Sequence, residues 1–159
     1  TGDSAQQRSI ATMALAERTA QVVWQGNLMQ GSGTISLNSQ ATGALPVTWA
    51  ARTEEPGGKT SPEELIAAAH AACYAMAFSN TLNQNGTPPE QLSVTATCTL
   101  DRVDGAVKIT TEQLDVRGRV PGLDQSAFAQ LAQTAEQRCP VSNALRNNVE
   151  IGLNAQLDA

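Results

Sequence analysis

The sequence predicts an α+β fold in which an antiparallel β-sheet packs against a long central helix and a second helix. Two observations predict it: strand-like segments and helical segments follow each other in separate groups, and the strand-like segments are joined by short, hairpin-like connections. A length of 159 residues suits one domain. We expect a partly flexible N-terminal arm over residues 1–20 and a single domain over residues 21–159.

Short β-type runs occupy the region after the arm. They are separated by clusters of Gly and Asn, which favour turns. The runs are Val22-Val23-Trp24, Thr34-Ile35-Ser36-Leu37 and Val47-Thr48-Trp49. We interpret them as antiparallel strands joined by turns.

The start of the long helix carries the clearest local signal. Ser61 suits the N-cap, Pro62 the first helical position and Glu64 the third, which together form a capping box. Helix-forming residues with apolar positions on most faces run from Leu65 to about Leu82, before the Asn- and Gly-containing stop. We expect this helix to be buried nearly all round. It is too apolar for the surface of a monomer, which predicts a homodimer that covers it.

The second half of the chain alternates strand and helix patterns. Ser93 to Leu100 alternates apolar and polar residues, and Asp104-Gly105 predicts a hairpin turn into the next strand segments, 106–111 and 113–120. A helical pattern runs from residue 123 to 138, followed by a short helix at 140–147 and a last strand at 149–157.

The net charge of the chain limits the kinds of partner that it is expected to bind. The net charge of −5 and the pI of about 4.7 argue against binding to nucleic acid or to an anionic membrane surface, both of which require clustered Lys and Arg. No apolar run looks long enough to cross a bilayer, and residues 1–20 lack the pattern of a signal peptide. The cytoplasm is the expected location.

The three cysteines are the main candidates for chemistry. Cys73, Cys98 and Cys139 are an odd number spread far apart, which is a poor framework for a secreted disulfide protein. Cys73 lies about 18 Å along the helix from the N-cap, too far for the helix dipole to lower its pKa. A reactive Cys73 therefore needs a cation from elsewhere in the molecule.

Two segments form a recognisable pattern. Thr60 to Cys73 reads TSPEELIAAAHAAC, and Arg138 to Leu145 reads RCPVSNAL. They resemble the two cysteine motifs of the OsmC/Ohr peroxidases, and with Trp24-Gln25-Gly26 and Gly31-Ser32-Gly33 the resemblance covers most of the chain from about residue 22. The Ala-Ala-Ala-His stretch favours the osmotically inducible branch, OsmC.

The resemblance implies an OsmC-like intertwined homodimer and a thiol peroxidase that works without metal, flavin or haem. It assigns Cys73 as the peroxide-reacting thiol and Cys139 as the resolving thiol, with Arg52 and Glu63 holding Cys73 as a thiolate. The implied substrates are organic hydroperoxides and hydrogen peroxide. The implied reductant is a dithiol, such as a dihydrolipoyl group on a carrier protein.

The chemistry of these residue types agrees with the resemblance. A guanidinium stabilises a thiolate, and a carboxylate fixes the guanidinium in one geometry. Glu63 and Cys73 lie ten positions apart, about 15 Å along a straight helix. We therefore predict that each site combines groups from two chains, or that the helix breaks between these residues.

Several alternatives stay open at this point. His70 could pair with Cys73 in a thiol hydrolase, or bind zinc with Cys139 and Cys98, but a packed or hydrogen-bonded interior histidine is the preferred interpretation. Cys98 reads as core packing. Cys139 precedes Pro140 and could itself attack first if it caps the short helix. A non-catalytic stress protein that binds small apolar ligands on the same scaffold is the second class. The preferred peroxide is not determined by the sequence.

Overall fold

The computed structural model describes residues 14–159, and the chain divides into two compact units, Thr1–Thr60 and Ser61–Ala159. Most of the predicted arm lies outside the described residues, and the predicted domain limits stay a prediction. The first unit contains a three-stranded antiparallel sheet in the order β1-β2-β3, followed by one short helix. Its elements are β1 (Ala20–Gln25), β2 (Ser32–Leu37), β3 (Leu45–Val47) and α1 (Trp49–Thr53).

The second unit packs two longer helices against a second three-stranded sheet, in the order β4-β5-β6, and a short helix packs against the two longer ones. Its elements are α2 (Pro62–Gln84), β4 (Gln91–Val103), β5 (Ala106–Arg119), α3 (Gln125–Arg138), α4 (Pro140–Leu145) and β6 (Glu150–Leu157). The predicted α+β class, with a long central helix and a second helix, is confirmed.

One strand pair departs from the antiparallel prediction. β4 and β5 are antiparallel, but β6 pairs with β5 in parallel, from Thr111 opposite Glu150 to Gly118 opposite Leu157. The connection from β5 to β6 is long and contains α3 and α4, and such a crossover allows a strand to return in the same direction. Periodicity along a strand carries no information about the direction of its neighbour.

The local signals for α2 and the β4–β5 hairpin are confirmed. The Ser61 hydroxyl accepts a hydrogen bond from the Glu64 backbone N–H at 3.1 Å, and Pro62 occupies the first helical position. Asp104 and Gly105 both have positive φ, 51° and 81°, as a two-residue hairpin turn of the mirror-image type requires. Two expectations are wrong in detail: α1 was not predicted, and β5 is one continuous strand.

Burial of α2 within this chain is one-sided. Its buried face is formed mainly by His70, Tyr74, Phe78 and Leu82, whereas Met76 on another face is 71% exposed. The expectation that the helix is buried nearly all round is wrong for a single chain, since a sheet and a helix cover only the face they contact. A homodimer that covers the remaining apolar surface stays a prediction.

α2 is also long and apolar enough to cross a membrane by length and composition. The expectation that no segment reaches that length is therefore wrong. The helix nevertheless packs along β4 and against α3, and its buried face places His70 on a carboxylate of the sheet. This is how the core helix of a folded domain is arranged.

The core of the second unit is built where α2 and α3 meet the sheet. The rings of Tyr74 and Phe78 are 5.7 Å apart, and Phe78 lies 5.0 Å from Phe128 of α3. Phe128 packs directly over Gly118 of β5, where a Cβ atom would lie 2.7 Å from two carbons of its ring. The few aromatic side chains of the unit thus set the spacing between helices and sheet.

We expect Gly118→Ala to lower the free energy of unfolding by about 1 to 3 kcal/mol, because the new methyl group overpacks a filled site. At a position with free space the same exchange would be neutral or slightly stabilising, since alanine has less freedom in the unfolded chain. Denaturant unfolding followed by circular dichroism measures the change.

Gly43→Ala is the matched control, because a Cβ atom at Gly43 meets nothing within 4 Å. We expect its stability to stay within about 0.5 kcal/mol of the starting protein. Equal effects of the two exchanges would contradict the packing argument.

Candidate active site

The fold brings Cys73 and Cys139 together. Cys73 lies on α2 beside the buried face. Cys139 lies at the junction of α3 and α4, where it is both the C-cap residue of α3 and the N-cap residue of α4. The two side chains are within hydrogen-bonding reach of each other. Cys139 is fully buried, whereas Cys73 is partly exposed.

The position of Cys139 follows from the sequence around it. Pro140 lacks the backbone N–H that would continue α3, so the chain turns at Cys139, whose backbone is extended with φ −74° and ψ 115°. α4 then begins with Pro140 at its first position. The prediction that Cys139 caps the short helix is confirmed, although its side chain makes no capping hydrogen bond.

The surroundings of Cys73 within the second unit favour the neutral thiol. Burial raises the pKa of Cys73, a hydrogen bond from the Val141 backbone N–H lowers it, and the neighbouring Cys139 raises it further. A raised pKa leaves less thiolate at neutral pH, and the thiolate is the nucleophile. The raised pKa is consistent with the expectation that a reactive Cys73 needs a nearby cation, which stays a prediction.

Arg52, the predicted cation, lies in the last turn of α1 in the first unit. The Thr48 hydroxyl caps this helix by accepting a hydrogen bond from the Ala51 N–H at 3.1 Å. The Arg52 guanidinium carbon lies 5.8 Å from the centre of the Trp49 ring, a cation–π distance that restricts the side chain. Since Arg52 and Cys73 belong to different units, the role of Arg52 stays a prediction.

Glu63 lies in the first turn of α2 and is only 7% exposed. Its charge raises the pKa of Cys98, so the carboxylate lies close to β4. α2 is continuous from Pro62 to Gln84, which rules out the predicted alternative of a helix break before Cys73. With about 15 Å between Glu63 and Cys73 along this helix, a site built from two chains is the alternative that remains a prediction.

His70 forms the centre of a buried hydrogen-bonded chain. Its Nδ1 lies 2.6 Å from Oε2 of Glu112 on β5, and its Nε2 lies 2.7 Å from Oγ of Ser142 on α4. All three side chains are fully buried. The interpretation of His70 as a hydrogen-bonded interior histidine is confirmed. Because both ring nitrogens are engaged, this arrangement leaves none for Cys73 or for a metal.

The sequence reasoning missed Glu112 and Ser142. Glu112 stands in register with Leu114 and Val116 on the buried face of β5, and a carboxylate at such a position requires a partner. That alternation was the available signal for an interior ion pair or hydrogen bond. Ser142 lies within the second cysteine motif but carried no signal of its own.

Cys98 lies on the inner face of β4, directly opposite Glu112 of β5. Burial, a hydrogen bond to the Glu112 carboxylate, and the charges of Glu112 and Glu63 raise the pKa of Cys98 to about 12. Such a thiol is protonated and unreactive at neutral pH. This agrees with the packing role predicted for Cys98.

Comparison with known proteins places the chain in one family. The family model described as OsmC-like protein matches residues 55–154. Peroxiredoxin OsmC of Escherichia coli is 41% identical over 140 residues, which cover 88% of this chain and 96% of that protein. The organic hydroperoxide resistance protein of Xanthomonas axonopodis pv. citri is 34% identical over 98 residues, covering 61% of this chain and 67% of that protein.

Solved structures of organic hydroperoxide resistance proteins have a similar fold. The organic hydroperoxide resistance protein OhrB of Bacillus subtilis has a TM-score of 0.70 at 26% identity, covering 89% of this chain and 99% of that one. A protein of Legionella pneumophila described as an organic hydroperoxide resistance protein OsmC has a TM-score of 0.68 at 25% identity, covering 92% and 99%. The chain belongs to the OsmC family, within the branch that contains peroxiredoxin OsmC.

We expect Cys98 to resist alkylation in the folded protein. With a pKa of about 12, about one Cys98 thiol in a thousand is ionised at pH 9, against about half at the ordinary value of 9.0 after unfolding. Iodoacetamide labelling at pH 9, read for each cysteine peptide by mass spectrometry, measures this. Labelling of Cys98 at equal rates with and without denaturant would contradict the assignment.

Proposed function

We propose that this chain reduces organic hydroperoxides, and also hydrogen peroxide, by means of Cys73 and Cys139. The observation that carries the proposal is the contact between a partly exposed thiol and a fully buried one. The chain is a peroxidase-type enzyme by its family, and relatives named for organic hydroperoxide resistance support the substrate class.

The reaction proceeds in two chemical steps. The Cys73 thiolate attacks the terminal oxygen of the hydroperoxide, the O–O bond breaks, and the alkoxide takes a proton and leaves as alcohol. Cys73 is then a sulfenic acid. The Cys139 sulfur attacks the Cys73 sulfur, an S–S bond forms, and the hydroxyl group leaves as water. An external dithiol reduces the disulfide, and no metal or organic cofactor is required for these steps.

The difference in accessibility supports one order in which the two thiols react. A peroxide can reach Cys73, which is partly exposed, but Cys139 is fully buried behind it. The Val141 N–H donates to the Cys73 sulfur, which favours the thiolate there. These observations support Cys73 as the attacking thiol over the opposite order, in which Cys139 attacks first.

The cation completes the site. Burial raises the pKa of Cys73, so the proposal requires a fixed positive charge to offset it, and Arg52 held by Glu63 is the proposed source. Glu63 and Cys73 of one chain lie too far apart on a continuous helix for one guanidinium to contact both easily. We therefore place Glu63 of one chain with Cys73 of a second chain in a homodimer.

The reductant and location follow from the thiol chemistry. The catalytic disulfide has to be reopened in every cycle, which a dithiol such as a dihydrolipoyl protein does by exchange through a mixed disulfide. A compartment that keeps thiols reduced suits this cycle, and the cytoplasm is the proposed one.

We expect Cys73→Ser to abolish consumption of cumene hydroperoxide in the presence of a dithiol reductant, because the nucleophile is lost. Cys139→Ser should still react once per site and then stall as the sulfenic acid, which dimedone traps. Single-turnover and steady-state assays with mass spectrometry distinguish these outcomes.

Cys98→Ser is the matched cysteine control and should keep both activities, since Cys98 takes no part in either step. A protein that consumes no peroxide with all three cysteines intact would contradict the proposal and favour the non-catalytic ligand-binding alternative. A Cys139→Ser variant with full multiple turnover would contradict the resolving role.

We expect Arg52→Met to lower the rate of the peroxide reaction at pH 7 by about 10-fold or more, the effect of losing a hydrogen bond to a charged group. The direction of the shift in the pH–rate profile follows from the charge. Without the cation the pKa of Cys73 rises, so the profile moves to higher pH. Arg18→Met, at an exposed position in the same unit, is the control and should leave the profile unchanged. A profile that stays in place in Arg52→Met would contradict the role of Arg52.

The two-chain site has its own test by subunit mixing. Cys73→Ser and Glu63→Gln homodimers are each expected to be weakly active or inactive. If one site takes Glu63 and Cys73 from different chains, a mixed dimer contains one site with both residues intact. An equal mixture after subunit exchange should then recover about a quarter of the starting activity. If both residues come from one chain, every site stays defective and mixing recovers nothing.

A further inference from the structure

We propose that the buried chain Glu112–His70–Ser142 is a positioning network that holds the Cys139 segment against Cys73. It acts chiefly on formation of the disulfide, the step in which the two sulfurs must approach each other. The inference builds on the proposed function, because it assigns the network to the second chemical step.

The three residues connect the elements that carry the two sulfurs. His70 lies one turn before Cys73 on α2, and Ser142 lies three residues after Cys139 on α4. The 2.7 Å bond between them therefore ties the two cysteine-bearing segments together. Glu112 anchors the other side of the imidazole to the central strand of the sheet.

α4 needs such a tie because it is weak by itself. It has only six residues, and the side chain of its N-cap residue, Cys139, makes no capping hydrogen bond. So short a helix is not stable without tertiary contacts. Asn143 bonds the Gln137 carbonyl of α3, and Arg146 pairs with Glu136 of α3, so these contacts fix α4 to α3. The Ser142–His70 bond fixes it to α2.

The bonds of the network are of the strong kind. The short contact of the His70 ring with a carboxylate is charge-assisted, and with full burial no water competes for it. With the proton on Nδ1, His70 donates to Glu112 and accepts the Ser142 hydroxyl proton at Nε2. Loss of one member leaves a buried polar group without its partner, which shifts the position of α4 rather than simply weakening one contact.

Position matters most for disulfide closure. The Cys139 sulfur must move from contact to a bond length of about 2.05 Å with a restricted dihedral angle. Restricting the two sulfurs to near that geometry raises their effective concentration. The two hydrogen bonds of the network involve neither sulfur, so they can persist in the dithiol and the disulfide. Attack of a peroxide on Cys73 requires no approach of the Cys139 sulfur, although the Val141 N–H of α4 also donates to Cys73.

The decisive variant is Ser142→Ala, measured by equilibrium with reduced and oxidised glutathione. We expect the effective concentration of the Cys73–Cys139 pair to fall about 10-fold, as for leaving one buried hydrogen-bonding group without its partner. In single turnover with cumene hydroperoxide, the sulfenic acid should persist about 10-fold longer before the disulfide closes. This change should exceed any change in the rate at which the sulfenic acid forms.

Thr81→Val is the matched control. Thr81 is also a buried hydroxyl on α2, bonded to the Ala77 carbonyl at 2.9 Å, but it lies two turns beyond Cys73. Its loss should lower stability without changing the glutathione equilibrium.

Ser142→Thr, which keeps the hydroxyl, should restore most of the effective concentration that Ser142→Ala loses.

Glu112→Gln is the second variant if Ser142→Ala does not fold. It keeps the shape and an acceptor oxygen but removes the charge, so a smaller drop of about 3-fold in effective concentration is expected.

Effective concentrations equal to the starting protein in the folded variants, or equal to those of Thr81→Val, would overturn the inference. The glutathione measurement uses no peroxide, so a failure of the peroxidase proposal is recognised separately by the absence of peroxide consumption.

Discussion

The contact between Cys73 and Cys139 is the interaction on which the proposed chemistry depends. It exists because α2 crosses the end of α3 at the point where Pro140 stops that helix and turns the chain. One sulfur is left partly exposed and the other fully buried. A pair of this kind separates two tasks, since the outer thiol can meet a peroxide and the inner thiol can meet only the outer one.

The same burial opposes the first chemical step. An apolar environment raises the pKa of Cys73, whereas attack on a peroxide requires the thiolate. A single backbone N–H from Val141 acts in the opposite direction. A fixed positive charge near Cys73 would offset this effect of burial, which is why a guanidinium belongs to the proposed site.

Polar residues in the core of the second unit have a consistent arrangement. Glu112, His70 and Ser142 lie where an apolar core would be expected, and each is bonded to its neighbour in the chain. Leucine or valine could fill such positions, but apolar side chains slide more easily past each other than hydrogen-bonded ones. The network gives α4 a defined place on α2, which a helix of six residues cannot define by itself.

The sequence by itself determined the α+β class, the capped start of α2, the Asp104-Gly105 hairpin and the two cysteine motifs. These depend on local backbone preferences and on periodicity, which neighbouring residues fix. Only the tertiary structure decided that β6 runs parallel to β5, that α2 is buried on one face, and that Glu112 and Ser142 meet at His70. The β5–β6 pairing and the bonds of His70 join residues 39 to 72 positions apart, and no local pattern specifies which distant groups meet.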